Sequence, residues 1–193
     1  MSEALTIILK RNDPTAAAQQ VSLTELGSIR INKEERGKMY RTIPRSSVIG
    51  FLIGVLPGAG ATIASFLAYG MERNLVKDEE KEKFGKGSVN GLSAPETANN
   101  AACSGSFVPM LTLGIPGSGT TAVMLGALLG FGIQPGPRLY MTNPEIFWSV
   151  IMSMYIGMVI LLILNLPLIP YIARILAVPK NYLIPLILFF SIT

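Results

Sequence analysis

Two stretches of near-identical chemistry, LPGAGAT (Leu56 to Thr62) and IPGSGTT (Ile115 to Thr121), interrupt otherwise apolar sequence. Each joins a Pro-Gly breaker to a second glycine and a threonine. Each lies in a run long enough to enter a bilayer. A broken helix is costly there unless the break lines a cavity, because lipid offers no partner for the freed backbone groups. Two such breaks in one short chain point to a transport site. The competing reading is a pair of kinks or tight turns that bind nothing.

The composition around the breaks favours a membrane. Of 193 residues, 50% are hydrophobic and 15% charged, against about 25% charged in soluble domains. The charge is also segregated: none occurs from Ser46 to Met71, from Thr97 to Pro137, or from Ile146 to Ala173. About 20 apolar residues cross a bilayer, so all three runs qualify by length and predict an integral membrane protein rather than a large soluble core. The net charge of +4 does not indicate nucleic acid. The basic residues of 1–45 and 71–86 are interleaved with acids and carry no aromatic stacking platforms; juxtamembrane cytoplasmic loops account for them better. With no histidine and one cysteine, Cys103, disulfide frameworks, zinc sites and histidine-based catalysis are unsupported. No catalytic residue, resident metal or cofactor is expected. The start Met1-Ser2-Glu3 does not read as a signal peptide. The last residues, Phe189 to Thr193, lie inside a further apolar run too short to span, as expected of a piece of a longer membrane protein.

Along the chain, 1–45 reads as a polar, partly helical cytoplasmic segment, with capping-box patterns at Ser22–Glu25 and Asn32–Glu35. The remainder, 46–193, reads as a transmembrane transporter domain, incomplete at its C-terminus. Ser46 to Gly70 holds LPGAGAT near its middle and is either one broken span or a re-entrant hairpin. Eight Lys or Arg precede it and five follow between Glu72 and Glu96; two basic flanks favour the hairpin under the positive-inside rule. Glu72 to Lys86 reads as an exposed helix with Glu79–Lys83 and Glu82–Lys86 pairs in the favourable order, stopped by Gly85 and Gly87. Thr97 to Pro137 divides at IPGSGTT into half-helices over roughly 97–114 and 120–133. A further helix starts at Asn143-Pro144, carries interface aromatics at Phe147 and Trp148, and ends near Leu166 before Pro167 and Pro170.

The chemistry follows from the breaks. A helix that starts just after Gly60 or Gly119 presents unpaired N–H groups and partial positive charge, and consecutive glycine amides form anion-binding concavities. Thr62, Ser118, Thr120 and Thr121 add hydroxyl donors. Carboxylates suit such a place, while the carbonyls ending the preceding half-helices suit a cation such as Na⁺. SAPETANN (Ser93 to Asn100) is a second constellation. The Asn99 and Asn100 amides, placed in the first turns of an uncharged run, either bind substrate or satisfy freed backbone groups. Glu96 is either a proton or cation site or an N-terminal charge that answers the helix dipole. Three other motifs fail. GAGATIA lacks the flanking strand and βαβ unit of a dinucleotide loop, a P-loop would need Gly-Lys-Ser/Thr, and Gly117-Ser118-Gly119 has no histidine base for a serine protease.

The stretches Gly50–Arg73, Phe84–Gly105 and Val108–Pro137, with the later LAVP at Leu176–Pro179, resemble the large membrane subunit of the tripartite tricarboxylate transporters, the TctA family. The likeness covers nearly all of 40–193. It implies a secondary transporter, multi-pass in the bacterial inner membrane, that takes up di- or tricarboxylates such as citrate. Its partners would be a periplasmic solute-binding protein and a small four-helix membrane subunit, and a Na⁺ or H⁺ gradient would drive it. The family protein is longer and has two related halves, of which this chain would be about the second. The family's pattern falls on Pro57, Gly58, Gly60, Glu96, Asn99, Asn100, Pro116, Gly117 and Ser118.

The expectation is therefore an all-α polytopic membrane protein. A re-entrant hairpin over 46–70 faces a broken transmembrane helix over 97–133. Pro57, Gly58, Gly60, Thr62, Asn99, Asn100, Pro116, Gly117, Ser118, Gly119, Thr120 and Thr121 are the candidate substrate-binding residues, and Glu96 is the candidate for the coupling ion. A non-transporting scaffold or assembly subunit, or a passive anion channel, would carry the same apolar runs without ion coupling.

Overall fold

The computed structural model describes residues 31–175, apart from the side chains at 170 and 173–175; the Ser22–Glu25 pattern and the final apolar run lie outside the described residues. The described residues fall into two units, one ending at Ser153 and the other beginning at Met154. Every described element is helical: α1 (Lys33–Val55), α2 (Gly60–Leu75), α3 (Asp78–Lys81), α4 (Val89–Gly105), α5 (Phe107–Leu113), α6 (Gly119–Gly130), α7 (Leu139–Thr142) and α8 (Pro144–Ile175).

Helix α1 begins where the capping box predicts. The Asn32 side chain accepts from Lys33 N–H at 2.6 Å, and Glu35 accepts from Asn32 N–H at 2.9 Å. It then runs through Pro44 without a break, so the polar segment and the first apolar run share one helix across position 45/46. LPGAGAT ends it. After a tight turn the chain returns as α2, and Glu72 near the end of α2 meets Thr42 and Arg45 of α1. Helices α1 and α2 are thus an antiparallel hairpin over the segment expected to form one. Helix α4 lies against both, running parallel to α1.

The seam between these helices is built from the smallest side chains. Thr42, Ser46, Gly50 and Gly54 form the buried stripe of α1. Ala64, Ala68 and Glu72 form that of α2, and Asn90, Ala94, Ala98, Ala102 and Gly105 that of α4. A four-residue spacing puts each set on one helical face. The fit is close enough that a Cβ on Gly50 would stand 2.3 Å from the Ala98 carbonyl oxygen, and one on Gly54 2.3 Å from that of Ala102. Large apolar side chains lie outside instead: Phe66 is 74% exposed and Val123 77%. A small-residue interior under a Leu/Ile/Phe exterior is the pattern of helices that associate in lipid or against further apolar helices.

A second core gathers Met110 and Leu111 of α5, Leu128 of α6, Leu139 of α7 and Val150 of α8. The left-handed Gly114 closes α5 by donating to the Met110 carbonyl at 3.1 Å. The following turn returns over the same end, with Gly136 N–H on the Leu111 carbonyl at 3.2 Å.

Three local expectations are corrected. Helix α4 starts at Ser88, whose Oγ accepts from Gly91 N–H at 3.1 Å. The start is set by this cap and not by the last charge, so Glu96, Asn99 and Asn100 are mid-helix residues. Glu72 to Lys86 is not one exposed helix. Glu72 is buried in α2, which ends at Leu75, only Asp78–Lys81 is helical beyond it, and the ion pairs of the segment are Glu72–Arg45, Asp78–Lys81, Glu80–Lys83 and Glu80–Lys38. Glu79–Lys83 and Glu82–Lys86 lack the continuous helix their spacing needs. Helix α8 passes Pro167 and Pro170 and continues to Ile175; proline's fixed φ is compatible with a helix, although each ring gives up a ladder bond and crowds the carbonyl four residues back. Of the three uncharged runs, only the third forms a helix long and apolar enough to cross a membrane, Pro144–Ile169; among the described residues it is the one such helix. The other two runs are broken at their Pro-Gly elbows.

Two predictions follow from the packing. Gly50→Ala and Gly54→Ala must push α1 off α4 and should each cost about 1–3 kcal/mol, read as a lowered thermal midpoint. Gly37→Ala on the same helix meets nothing within 4 Å and should be neutral or mildly stabilising; equal midpoints for all three would refute the close seam. The second concerns acid. The Lys38 ammonium, hydrogen-bonded to Glu80 at 3.1 Å, holds that carboxyl below its ordinary value of 4.5. A depressed carboxylate contributes stability above its ordinary value and loses it as pH falls through the lowered one. Replacing Lys38 with Met should therefore flatten the acid-side decline of a midpoint-against-pH curve.

Candidate functional site

The first elbow, Leu56 to Ala59, is held by its own backbone: Leu56 N–H donates to Ile53 O at 3.1 Å and Ala59 N–H to Leu56 O at 3.2 Å. Gly58 and Gly60 have φ of +78° and +68°, values that strain any residue with a Cβ. Pro57, Gly58 and Thr62 are exposed. Helix α2 starts after Ala59, which has no side chain able to cap it. The leading amides at Gly60, Ala61 and Thr62 therefore have no side-chain acceptor and point out of the helix end.

The second elbow is built differently. Ser118 is the N-cap of α6, and it exchanges bonds with Thr121: Thr121 N–H donates to Ser118 Oγ at 3.2 Å, and Ser118 N–H donates to Thr121 Oγ1 at 2.8 Å. The Thr121 hydroxyl also donates to the Ser118 carbonyl at 3.0 Å and is buried. These two side chains serve the helix end. Gly119 and Thr120 are exposed, and their amides have no acceptor in the described structure.

The second elbow meets the last turn of α1, just ahead of the first elbow. Gly117 is buried, and a Cβ there would stand 2.8 Å from Ser106 Cβ and 3.3 Å from the carbonyl oxygen of Gly54, in the last turn of α1 before the first elbow. Gly105 at the end of α4 approaches the same turn, 2.5 Å from Phe51 O by the same measure. Pro116 is half-buried beside them. The second elbow and the end of α4 approach the last turn of α1 by backbone, and glycine at 54, 105 and 117 is what allows it.

SAPETANN stands apart from this junction. Glu96, Asn99 and Asn100 lie on the exposed face of α4. Their bonds stay within that helix: Asn100 Nδ2 to Glu96 O at 2.9 Å and Cys103 Sγ to Asn99 Oδ1 at 3.9 Å.

The residue that sequence reasoning missed is Glu72. It is fully buried. Its Oε1 accepts from Thr42 Oγ1 at 2.8 Å, Arg45 at 2.9 Å and Asn90 Nδ2 at 3.1 Å. Arg45 is 41% exposed and reaches in from the edge of the bundle. A signal existed: Ala64, Ala68 and Glu72 continue one four-residue stripe.

The whole chain, residues 1–193, matches the tripartite tricarboxylate transporter TctA family. An uncharacterized 52.8 kDa protein in the TAR-I ttuC' 3' region of Agrobacterium vitis is 40% identical over 181 residues, which is 94% of this chain and 36% of that protein. An uncharacterized protein in the TAR-II ttuC' 3' region of the same organism is 46% identical over 142 residues, 74% of this chain and 58% of that protein. The chain thus spans between about a third and three-fifths of these curated relatives. No solved structure matches. A family match over the full chain and two relatives of this identity place the sequence among transporters rather than enzymes: it belongs to the tripartite tricarboxylate transporter TctA family.

Proposed function

We propose that this chain is part of the large permease subunit of a tripartite transporter that takes up tri- and dicarboxylates such as citrate across the bacterial inner membrane. The carboxylate is met where the two elbows converge. A periplasmic solute-binding protein delivers it, a small four-helix membrane subunit completes the complex, and a Na⁺ or H⁺ gradient drives uptake.

The observation that carries this reading is the approach of Gly117 to the Gly54 carbonyl. It brings the N-termini of α2 and α6 toward one end of the bundle, each with leading amides free. No charged side chain lies in 46–71 or 97–137, so backbone amides and the Thr62 and Thr120 hydroxyls are the donors on offer. Magnitudes fit a transporter. A helix N-terminus contributes up to about 2 kcal/mol to an anion in a partly buried site. Two together give about 4 kcal/mol, a dissociation constant near 1 mM. A site of that strength releases its cargo, whereas a lysine or arginine clamp would retain it. Capture at low concentration then falls to the binding protein.

In this reading the donors divide into two classes. Ser118 and Thr121 shape the second elbow, and Thr120 offers its hydroxyl outward. Glu96, Asn99 and Asn100, on the open face of α4, would act only where further protein covers that face.

Labelled-citrate uptake by the full-length protein, at matched membrane expression, tests the proposal. Gly58→Leu and Gly117→Leu should abolish uptake, the first by strain at positive φ and the second by separating the elbows. Thr120→Ala breaks no bond within the described structure and should raise the KM for citrate roughly tenfold, as expected for one hydrogen bond to a charged group. Unchanged uptake in all three variants would end the elbow proposal.

A further inference from the structure

We propose that Ser46, Glu72 and Asn90 hold one sodium-sized monovalent cation at the junction of α1, α2 and α4. Each helix supplies one buried oxygen, and among the described residues these three have no hydrogen-bond partner: Ser46 Oγ, Glu72 Oε2 and Asn90 Oδ1. The residues are 0%, 0% and 6% exposed. Orphaned buried oxygens are rare enough in proteins that an ion or water is the usual explanation.

The arrangement favours an ion. The two carboxylate oxygens of Glu72 are used unequally. Oε1 receives three donors, from Thr42, Arg45 and Asn90, while Oε2 receives none. The Asn90 amide is oriented by that bond: its NH₂ faces a carboxylate, which only accepts, so its carbonyl is the group left over. Carboxylate and carbonyl cannot satisfy each other. The Ser46 hydroxyl is the one donor among the three and carries a single proton, so no rotamer of Ser46 serves both other oxygens. A hard cation satisfies all three together, since oxygen is its preferred ligand. The ligand set carries one negative charge, which Arg45 already offsets in part at Oε1, and among the described residues no group of three or more Asp, Glu, His or Cys is assembled. That charge count suits a monovalent ion better than calcium, which gathers several carboxylates. Thr42, Arg45 and Asn90 fix the carboxylate through Oε1, so the vacant oxygen is oriented before the ion arrives.

Glu72 lies about 18 Å along α2 from Gly60 at 1.5 Å per residue. The cation is therefore separate from the carboxylate at the elbows. Its role as the coupling ion rests on the transport reading; its binding does not.

The experiment separates the two. Full-length protein purified in detergent, without any carboxylate, is unfolded thermally at neutral pH in sodium chloride and in choline chloride of equal ionic strength. Sodium should raise the midpoint saturably by a few degrees. Ser46→Ala, which breaks no hydrogen bond in the structure, should move the response to roughly tenfold higher sodium. Glu72→Gln should abolish it; because that variant leaves Arg45 without its anion and is prone to misfold, Ser46→Ala is the deciding one. Equal midpoints in sodium and choline, an undiminished response in Ser46→Ala, or stabilisation by acid in place of sodium would each overturn the site. A sodium response that persists while citrate uptake proves absent would sustain the site and remove the transport reading alone.

Discussion

Everything in the first helical unit depends on backbone meeting backbone where side chains are missing. Gly50 and Gly54 let α1 lie on α4 with no Cβ between them, and Gly105 and Gly117 repeat the device at the end where the elbows gather. In water such a seam would be weak, because it buries little apolar area. In an apolar surrounding the balance changes. Burial of leucine against lipid gains little, and close van der Waals contact between small residues becomes the main attraction. The exposed Leu, Ile and Phe side chains and the Ala/Gly interior are two consequences of the same constraint.

The two elbows look alike in sequence and differ in construction. Ser118 and Thr121 satisfy each other at the second, which fixes the first turn of α6. The first has alanine at the corresponding position and relies on two glycines with positive φ, so its leading amides stay open. The hydroxyls that look most suited to a ligand in sequence are therefore partly spent on architecture. Backbone amides, which sequence patterns do not display, are the donors left open there.

Legibility followed the range of the physics. The breaks at Pro57-Gly58 and Pro116-Gly117 were readable because proline and glycine act on their own backbone. The Asn32–Glu35 cap was readable because a capping box is complete within four residues. Helix α4 starts at Val89 under the Ser88 cap, ahead of the uncharged run that begins at Thr97, so charge patterning alone places its start too late. The prolines at 167 and 170 were given more breaking power than a helix grants them. Glu72 was assigned to solvent because a charge after an apolar run usually is solvated. Its true setting depends on Thr42, Arg45 and Asn90, which lie 30, 27 and 18 residues away in the chain, and no local pattern reports such a meeting.

Helix α1 runs unbroken for 23 residues, about 34 Å at 1.5 Å per residue. Its outer end is tied to Glu80 through Lys38, and its inner end forms the wall on which Gly117 rests. The Gly50 and Gly54 contacts leave no slack against α4, so the helix is clasped near the elbow and tied by an ion pair at its other end, and neither end can shift without carrying its neighbours along.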